Sequence, residues 1–271
     1  MGYVFEIQDA ASYDDWLFDP SRRAAAQLEM RLMTRMLGKG QGRRLLDIGC
    51  GTGWSLELFL RQGFNCTGLD PSIPMLEKAR ERLGNRVDLH PGLGESLDFD
   101  DNSFDVASLV TTLEFVEDPK ACLEEACRVA KDQLFVGFLN RYAIKGLQRR
   151  LKGLFSATVY NKAQFFSVWE MKSLIRSVAG DAPIRWRTTC QLPGVYGQRS
   201  LQLEQSPIVQ RAPTGAFCGM IVVLNPKFRT RPLPLRVEPS RKEKLLACYR
   251  DYPGVCNHEG ISFPTHGELQ G

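Results

Sequence analysis

The sequence lacks the long apolar runs that would place a chain in a membrane. No stretch of the 271 residues approaches the roughly 20 consecutive apolar residues that a membrane-spanning helix requires. The opening residues, MGYVFEIQDA, show no basic segment followed by an apolar run, and no myristoylation signal. We therefore expect a cytoplasmic protein without a transmembrane segment.

The sequence also lacks a large excess of one charge, and histidine is scarce. Its 35 Lys and Arg residues nearly balance 31 Asp and Glu residues, so that no nucleic-acid partner is expected. A C-terminal group, Cys248, Cys256, His258 and His266, lacks the short paired spacings of zinc sites, and no metal site is predicted. The other cysteines include several within apolar segments, which predicts reduced, buried thiols: Cys66, Cys122, Cys127 and Cys218.

Strand-like apolar runs alternate with helical periodicities along most of the chain. The strand-like runs are 44–49, 65–70, 86–91, 104–110, 133–139, 184–190 and 217–225. The helix-like runs are 22–37, 54–62, 72–83, 119–130 and 164–179. This alternation predicts βαβ units, hence a Rossmann-like, doubly wound, mostly parallel seven-stranded sheet with helices on both faces. A loop of about 25 residues joins the last two strands, a length typical of functional or mobile loops.

The stretch LLDIGCGTGWSLELF, residues 45–59, places Gly49, Gly51 and Gly53 between the first strand and a helix. Ligands of open α/β sheets bind at the carboxyl ends of the strands, and glycine lets the backbone turn tightly and approach them. Asp70 ends the second strand, 21 residues after Gly49. That offset matches the acid that takes ribose hydroxyls, so we expect a ligand that contains ribose.

Two residues argue against a dinucleotide as this ligand. Trp54 stands at the sixth position of the G-x-G-x-x-G/A fingerprint, where a small residue allows close packing of helix and strand. Asp47 would repel a pyrophosphate and attract a cationic amine. Adenosine joined to an amino acid fits these demands better, although a nicotinamide-dependent oxidoreductase of related topology stays an alternative.

The motif D-I-G-C-G-T-G (47–53) resembles the first motif of the class I S-adenosylmethionine-dependent methyltransferases, and GLDPS (68–72) resembles their second. Residues 92–119 and 126–140 are similar to the stretches around strands four and five. The similarity covers about residues 43–140 and is greatest to the type 11 branch, which acts on small molecules. It implies transfer of a methyl group from S-adenosylmethionine to a small-molecule acceptor, with S-adenosylhomocysteine as product.

The resemblance also implies a cofactor site. The glycines would pass beneath the methionine part, Asp70 would hold the ribose, and Met75 would pack on the adenine, although plain core packing is the alternative for Met75. The implied set is Tyr13, Asp47, Gly49, Cys50, Gly51, Gly53, Asp70, Pro71, Met75, Gly94, Glu95, Ser96, Thr112 and Leu113. This chain departs from many relatives at Leu93, where they have an acid that reads the adenine, and at Phe115, where they have histidine.

Four residues are candidates for the acceptor side because they follow strand four or lie in insertions near the expected mouth: Glu114, Tyr142, Tyr160 and Tyr196. Glu114 has a plainer alternative as an acid at the start of a helix. The segment YDDWLFD (13–19) resembles the segment that closes over the cofactor in relatives, although Tyr13 and Trp16 could equally form a fixed cap. Residues 141–155 predict a basic amphipathic helix, either solvated or touching a membrane surface or an anionic substrate.

These features divide the chain into three parts. Residues 1–42 are expected to form a helical lid, and 43–226 a methyltransferase domain with substrate-side insertions at about 141–181 and 191–214. Residues 227–271 form a C-terminal extension. Besides the oxidoreductase, a non-catalytic cofactor-binding module with a regulatory partner remains an alternative function.

Overall fold

Seven strands form one sheet in the computed structural model, which describes residues 2–6, 23–143, 163–191 and 202–224. All of these residues belong to a compact unit that spans Met1–Pro226. The strands are β1 Arg44–Ile48, β2 Asn65–Asp70, β3 Asp88–Pro91, β4 Phe104–Val110, β5 Ala130–Leu139, β6 Ile184–Thr189 and β7 Phe217–Val223. Their order is β3-β2-β1-β4-β5-β7-β6, with only β7 antiparallel to its neighbours.

Helices cover both faces of this sheet. They are α1 Arg23–Leu37, α2 Trp54–Arg61, α3 Ile73–Leu83, α4 Pro119–Val129 and α5 Val168–Ala179. One apolar cluster joins the sheet to α4 and α5 through residues such as Leu123 and Met171. A second joins it to α1, α2 and α3 through residues such as Leu32 and Phe59. The predicted fold class, a doubly wound seven-stranded α/β sheet, is confirmed.

The order in which successive strands are added to the sheet reverses at β1. From β1 it moves through β2 to β3, and β4 then returns to the other side of β1. Ile48, the last residue of β1, pairs with Leu69 on β2 and with Leu109 on β4. The carboxyl ends of β1 and β4 therefore border the crevice in which sheets of this type bind ligands.

Local chemistry sets the helix starts. Ser72 caps α3 by accepting a hydrogen bond from the Met75 N–H, and Asp118 caps α4. Ser167 and Glu170 form a reciprocal capping box at α5. The predicted start of α5 at residue 164 was wrong, because this box places the first helical residue at Val168.

The other differences from prediction are also local. β5 begins at Ala130 instead of 133, because the extended Ala130 carries the chain from α4 directly into the sheet. β3 begins at Asp88, since residues 84–86 form a 3-10 turn. The loop before β7 contains a 3-10 helix, Val209–Arg211. Only residues 141–143 of the predicted basic helix are described, and the extension after 226 lies outside the described residues. Within the described ranges, no helix is long and apolar enough to cross a membrane.

Candidate cofactor and acceptor site

The three glycines after β1 have different surroundings. All have positive φ, with values of 72° at Gly49, 53° at Gly51 and 80° at Gly53. A Cβ on Gly49 would lie 2.3 Å from Cγ2 of Thr112, and one on Gly53 would lie 2.8 Å from Cδ1 of Leu83. A Cβ on Gly51 would meet no atom of the described residues within 4 Å. Gly49 and Gly53 therefore allow close packing inside the protein, whereas Gly51 faces open space.

The N–H groups of this loop are already engaged. Gly49 and Cys50 both donate to the carbonyl of Leu69, at 2.7 and 3.0 Å, and Gly51 donates to Oδ2 of Asp70 at 2.8 Å. A pyrophosphate needs such N–H groups for itself. The loop is therefore poorly suited to a dinucleotide phosphate, in agreement with the argument from Trp54 and Asp47.

Asp70 is positioned to accept further hydrogen bonds. Its Oδ1 accepts the N–H of Ser72 and its Oδ2 that of Gly51, both at 2.8 Å. A carboxylate offers about four acceptor positions, so two remain for hydroxyl donors. Burial raises the pKa of Asp70 to about 6, while the two backbone hydrogen bonds act to lower it. The side chain is ionised at neutral pH and is held rigidly at the end of β2.

Asp47 is buried, and both of its carboxylate oxygens accept hydrogen bonds. Ser108 donates to its Oδ1 at 2.5 Å, Ser55 donates to its Oδ2, and the residue is 1% exposed. Burial raises its pKa to about 6, and the two hydroxyl groups act to lower it. Asp47 thus contributes a negative charge beneath the loop, and its hydroxyl partners occupy both oxygens.

The turn after β4 ties this strand to β1. Thr112 donates from Oγ1 to the carbonyl of Ile48 at 2.9 Å. Thr111, which sequence reasoning missed, has a φ of 54°. A β-branched residue in that region is strained, and such strain concentrates at functional sites. Leu113 is 1% exposed and packs in the apolar cluster with α4, so its side chain belongs to the core.

Glu114 carries the unexplained polar atom of this region. Its Oε1 accepts the N–H of Leu139 at 2.8 Å, but its Oε2 has no hydrogen-bond partner among the described residues, although Glu114 is 1% exposed. Burial raises the pKa of Glu114 to about 7, and the backbone N–H groups of Leu139 and of Glu114 itself act to lower it. A buried unpaired carboxylate oxygen is rare enough in native proteins to point to a ligand or a catalytic role.

A cavity of about 380 Å³ lies beside Glu114. Its lining residues are Gly2, Tyr3, Glu114, Phe115, Val116, Glu117 and Gln164. Residues 2–6 cross this region, because the Tyr3 N–H donates to the carbonyl of Phe115 at 2.8 Å and Ser72 Oγ donates to the carbonyl of Phe5 at 2.7 Å. The N-terminal segment thus links the loop after β4 to the start of α3.

Three aromatic rings gather at this crossing. The ring centroids of Tyr3 and Phe5 lie 5.2 Å apart, those of Phe5 and Phe115 5.0 Å, and those of Tyr3 and Phe115 6.4 Å. The sequence predicts a lid over residues 1–42 and places its aromatic contacts at residues 13–19, which lie outside the described residues; the aromatic contacts of residues 2–6 were not predicted. The alternating aromatics of GYVFE were the available signal.

The remaining predicted residues divide among several environments. Glu95 accepts the Glu117 N–H at 3.0 Å and so ties the loop after β3 to the loop after β4. A Cβ on Gly94 would lie 2.7 Å from Sγ of Cys122, which makes Gly94 a packing residue. Met75 is 2% exposed near the start of α3.

Four other predicted residues show no comparable contact with the cavity. Pro71 is half-buried, Ser96 is exposed and Cys50 is buried, and burial raises the pKa of the Cys50 thiol. Tyr142 is 60% exposed and does not line the cavity. Tyr13, Tyr160 and Tyr196 lie outside the described residues, as does the C-terminal cysteine and histidine group. Where side chains are described, no cluster of three His, Cys, Asp or Glu residues could hold a metal ion.

Comparison with known proteins agrees with this geometry. Residues 46–135 match a family model described as a methyltransferase domain. The chain is 37% identical to the demethylmenaquinone methyltransferase of Renibacterium salmoninarum over 101 residues, which are 37% of this chain and 42% of that protein. It is 31% identical to the demethylmenaquinone methyltransferase of Mycobacterium sp. (strain KMS), covering 56% of this chain and 73% of that one.

A solved structure adds the three-dimensional likeness. A methyltransferase of Thermotoga maritima, described as S-adenosylmethionine-dependent and as a possible histamine N-methyltransferase, superimposes with a TM-score of 0.63 at 28% identity. The match covers 80% of this chain and 96% of that one. With the glycine loop, the acid at the end of β2 and the strand order, these likenesses lead to one conclusion: the chain belongs to the class I S-adenosylmethionine-dependent methyltransferases.

Proposed function

We propose that this protein transfers a methyl group from S-adenosylmethionine to a small-molecule acceptor in the cavity beside Glu114. The observation that carries the proposal is the open space at Gly51 next to Asp70, since a Cβ on Gly51 would meet nothing within 4 Å in the part of the chain that the structure describes. A buried carboxylate with free acceptor positions, next to a glycine backbone, suits the hydroxyl groups of a ribose. A purely structural turn would not need these free acceptor positions.

The residues present fit S-adenosylmethionine. Asp70 would accept the ribose hydroxyls, and Met75 and Pro71 would lie along the adenine. The glycine loop would support the amino acid part, with the buried charge of Asp47 beneath it. When bound, the cofactor supplies a methyl group made electrophilic by the attached sulfonium.

The chain's own task is then alignment and exclusion of water. The Tyr3 to Phe115 and Ser72 to Phe5 hydrogen bonds hold residues 2–6 between the loop after β4 and the start of α3. The cavity volume of about 380 Å³ suits an acceptor of small-molecule size. Fixing the nucleophile against the methyl carbon can supply several kcal/mol of the barrier, of order 7 or more in the best cases.

The names of the relatives point to different acceptors. The Renibacterium and Mycobacterium proteins are named for a quinone, whereas the Thermotoga protein is named for an amine. This chain covers only 42% of the Renibacterium enzyme, so that name carries little about the acceptor side here. The acceptor is better argued from the cavity itself.

A turnover assay tests the proposal. The protein is incubated with S-adenosylmethionine and a panel of small amines, phenols and quinols, and S-adenosylhomocysteine is measured by mass spectrometry. We expect product only when an acceptor from one chemical group is present. Binding of S-adenosylhomocysteine without turnover on any member of the panel would instead favour the non-catalytic module.

A further inference from the structure

Glu114 lines the cavity, and its buried Oε2 has no hydrogen-bond partner among the described residues. Glu117 lines the same cavity, so that two of its lining residues are acids, and no Lys or Arg is among the described residues that line it. Arg141, which follows β5, is held elsewhere: it donates to Glu170 at 2.5 Å and to the carbonyl of Phe165 at 2.8 Å. The buried carboxylate of Glu114 therefore places a negative charge beside the cavity.

The aromatic rings add to this preference. Tyr3 and Phe115 line the cavity, and Phe5 packs against both rings at 5.2 and 5.0 Å. The faces of aromatic rings attract ammonium groups, by about 0.5–2 kcal/mol per ring according to exposure. A carboxylate oxygen without a partner, next to such rings, matches the needs of a desolvated ammonium ion on both counts.

We propose that the methyl acceptor is an amine that enters this cavity as an ammonium ion, which Glu114 binds and then deprotonates. The inference rests on the proposed function and names the acceptor class for that site. A neutral hydroxyl or an aromatic carbon would make no use of the Glu114 carboxylate and the aromatic rings. An anionic acceptor would be repelled by the carboxylate of Glu114.

The reaction balances with the groups named. The ammonium gives one proton to Oε2 of Glu114, which leaves a neutral amine and a neutral carboxylic acid. The nitrogen lone pair forms the new N–C bond while the bond from methyl to sulfur breaks and leaves its electron pair on sulfur. The positive charge of the sulfonium thus passes to the methylated ammonium product. Glu114 returns its proton to solvent once the product has left.

The electrostatics of Glu114 suit this task. Burial raises its pKa to about 7, so it is substantially ionised at neutral pH yet a stronger base than an ordinary carboxylate. The other titratable groups that line the cavity are Tyr3 and Glu117, and Glu95 binds the backbone N–H of Glu117. Protonating Glu114 removes the charge closest to the bound cation.

A binding experiment with a permanent cation tests the inference without turnover. Choline and its neutral isostere 3,3-dimethylbutan-1-ol are titrated into the protein saturated with S-adenosylhomocysteine. We expect choline to bind at least about tenfold more tightly than the alcohol near pH 8, and to lose at least about tenfold in affinity near pH 5.5. The loss must come from the protein, because choline has no group that titrates in this range.

Matched variants identify the residue responsible. Glu114→Gln should abolish both the preference for choline and its pH dependence, while Oε1 still accepts the Leu139 N–H. Phe115→Leu, which leaves the carboxylate in place, should weaken choline and not the alcohol. The control is Glu124→Gln, the same charge change at a 46% exposed side chain on α4, and it should behave as wild type.

The outcomes separate the two proposals. If S-adenosylhomocysteine binds but choline and the alcohol bind alike, or neither binds, the amine assignment is wrong and methyl transfer stands. If choline is still preferred in Glu114→Gln, Glu114 is not the cation's partner and the inference falls. If S-adenosylhomocysteine does not bind at all, the proposed function fails and the acceptor assignment falls with it.

Discussion

Gly49 and Gly51 form a matched pair for separating packing from ligand binding. Both have positive φ, 72° and 53°, so that alanine at either position costs about 1–2 kcal/mol in backbone strain. Their surroundings differ, because a Cβ on Gly49 would lie 2.3 Å from Cγ2 of Thr112, whereas one on Gly51 would meet open space. We expect Gly49→Ala to lose a further 1–3 kcal/mol, roughly, through overpacking.

The two substitutions should therefore affect different properties: Gly51→Ala mainly the affinity for the cofactor product, and Gly49→Ala mainly the stability of the fold. Gly51→Ala should lower the melting temperature by about 2–8 °C, while its affinity for S-adenosylhomocysteine should fall at least about tenfold. Gly49→Ala should lower the melting temperature by more, yet its folded fraction should bind nearly as wild type. Thermal melts and calorimetric titrations below the transition measure both effects. Wild-type affinity in Gly51→Ala would refute the assignment of Gly51 to the ligand surface.

The remaining predictions concern stability. The pKa of Glu114 in the folded protein, about 7, exceeds the ordinary value of 4.5, so the native state keeps the proton of Glu114 to higher pH than the unfolded chain does. The free energy of unfolding should therefore fall as pH rises between these two values, by up to about 3 kcal/mol. Urea unfolding should show a smaller fall in Glu114→Gln. Thr112→Val should cost about 1 kcal/mol in the same assay by removing the hydrogen bond from the Thr112 hydroxyl to the Ile48 carbonyl, and no loss would show that this bond adds nothing to stability. Arg128→Met should cost about 2–4 kcal/mol of unfolding free energy, because Arg128 bonds Glu125, Asp101 and two backbone carbonyls. The control Arg61→Met removes an exposed ion pair and should cost under about 1 kcal/mol. Equal losses would show that the more buried position of Arg128 adds nothing to stability.

Sequence periodicity was sufficient for the sheet because its parallel strands are buried on both faces. Leu45, Leu46 and Ile48 are all 0% exposed, and such continuous apolar runs are distinctive. The boundaries were harder to predict where a cap decided them, as at Ser167. The acid at Asp70 could be found by spacing alone, since the strand end fixes its position.

The acceptor side could not be predicted in the same way. Nothing in the sequence distinguishes Gly49 from Gly51, because the difference comes from Thr112, which is distant along the chain. The unpaired oxygen of Glu114 likewise depends on Leu139 and on residues 2–6, which come together only in the folded state. Long-range contacts of a few residues leave no periodic signal.

Calorimetric titration with S-adenosylhomocysteine and, separately, with NAD distinguishes a methyltransferase site from a dinucleotide site. The account predicts that S-adenosylhomocysteine binds to the wild type and that NAD does not. Asp70→Ala should remain folded and lose about 1.5–3 kcal/mol of binding free energy, the worth of hydrogen bonds to a charged group, while Asp88→Ala at an exposed position on β3 should bind as wild type. Tight binding of NAD, or unchanged S-adenosylhomocysteine affinity in folded Asp70→Ala, would contradict the account.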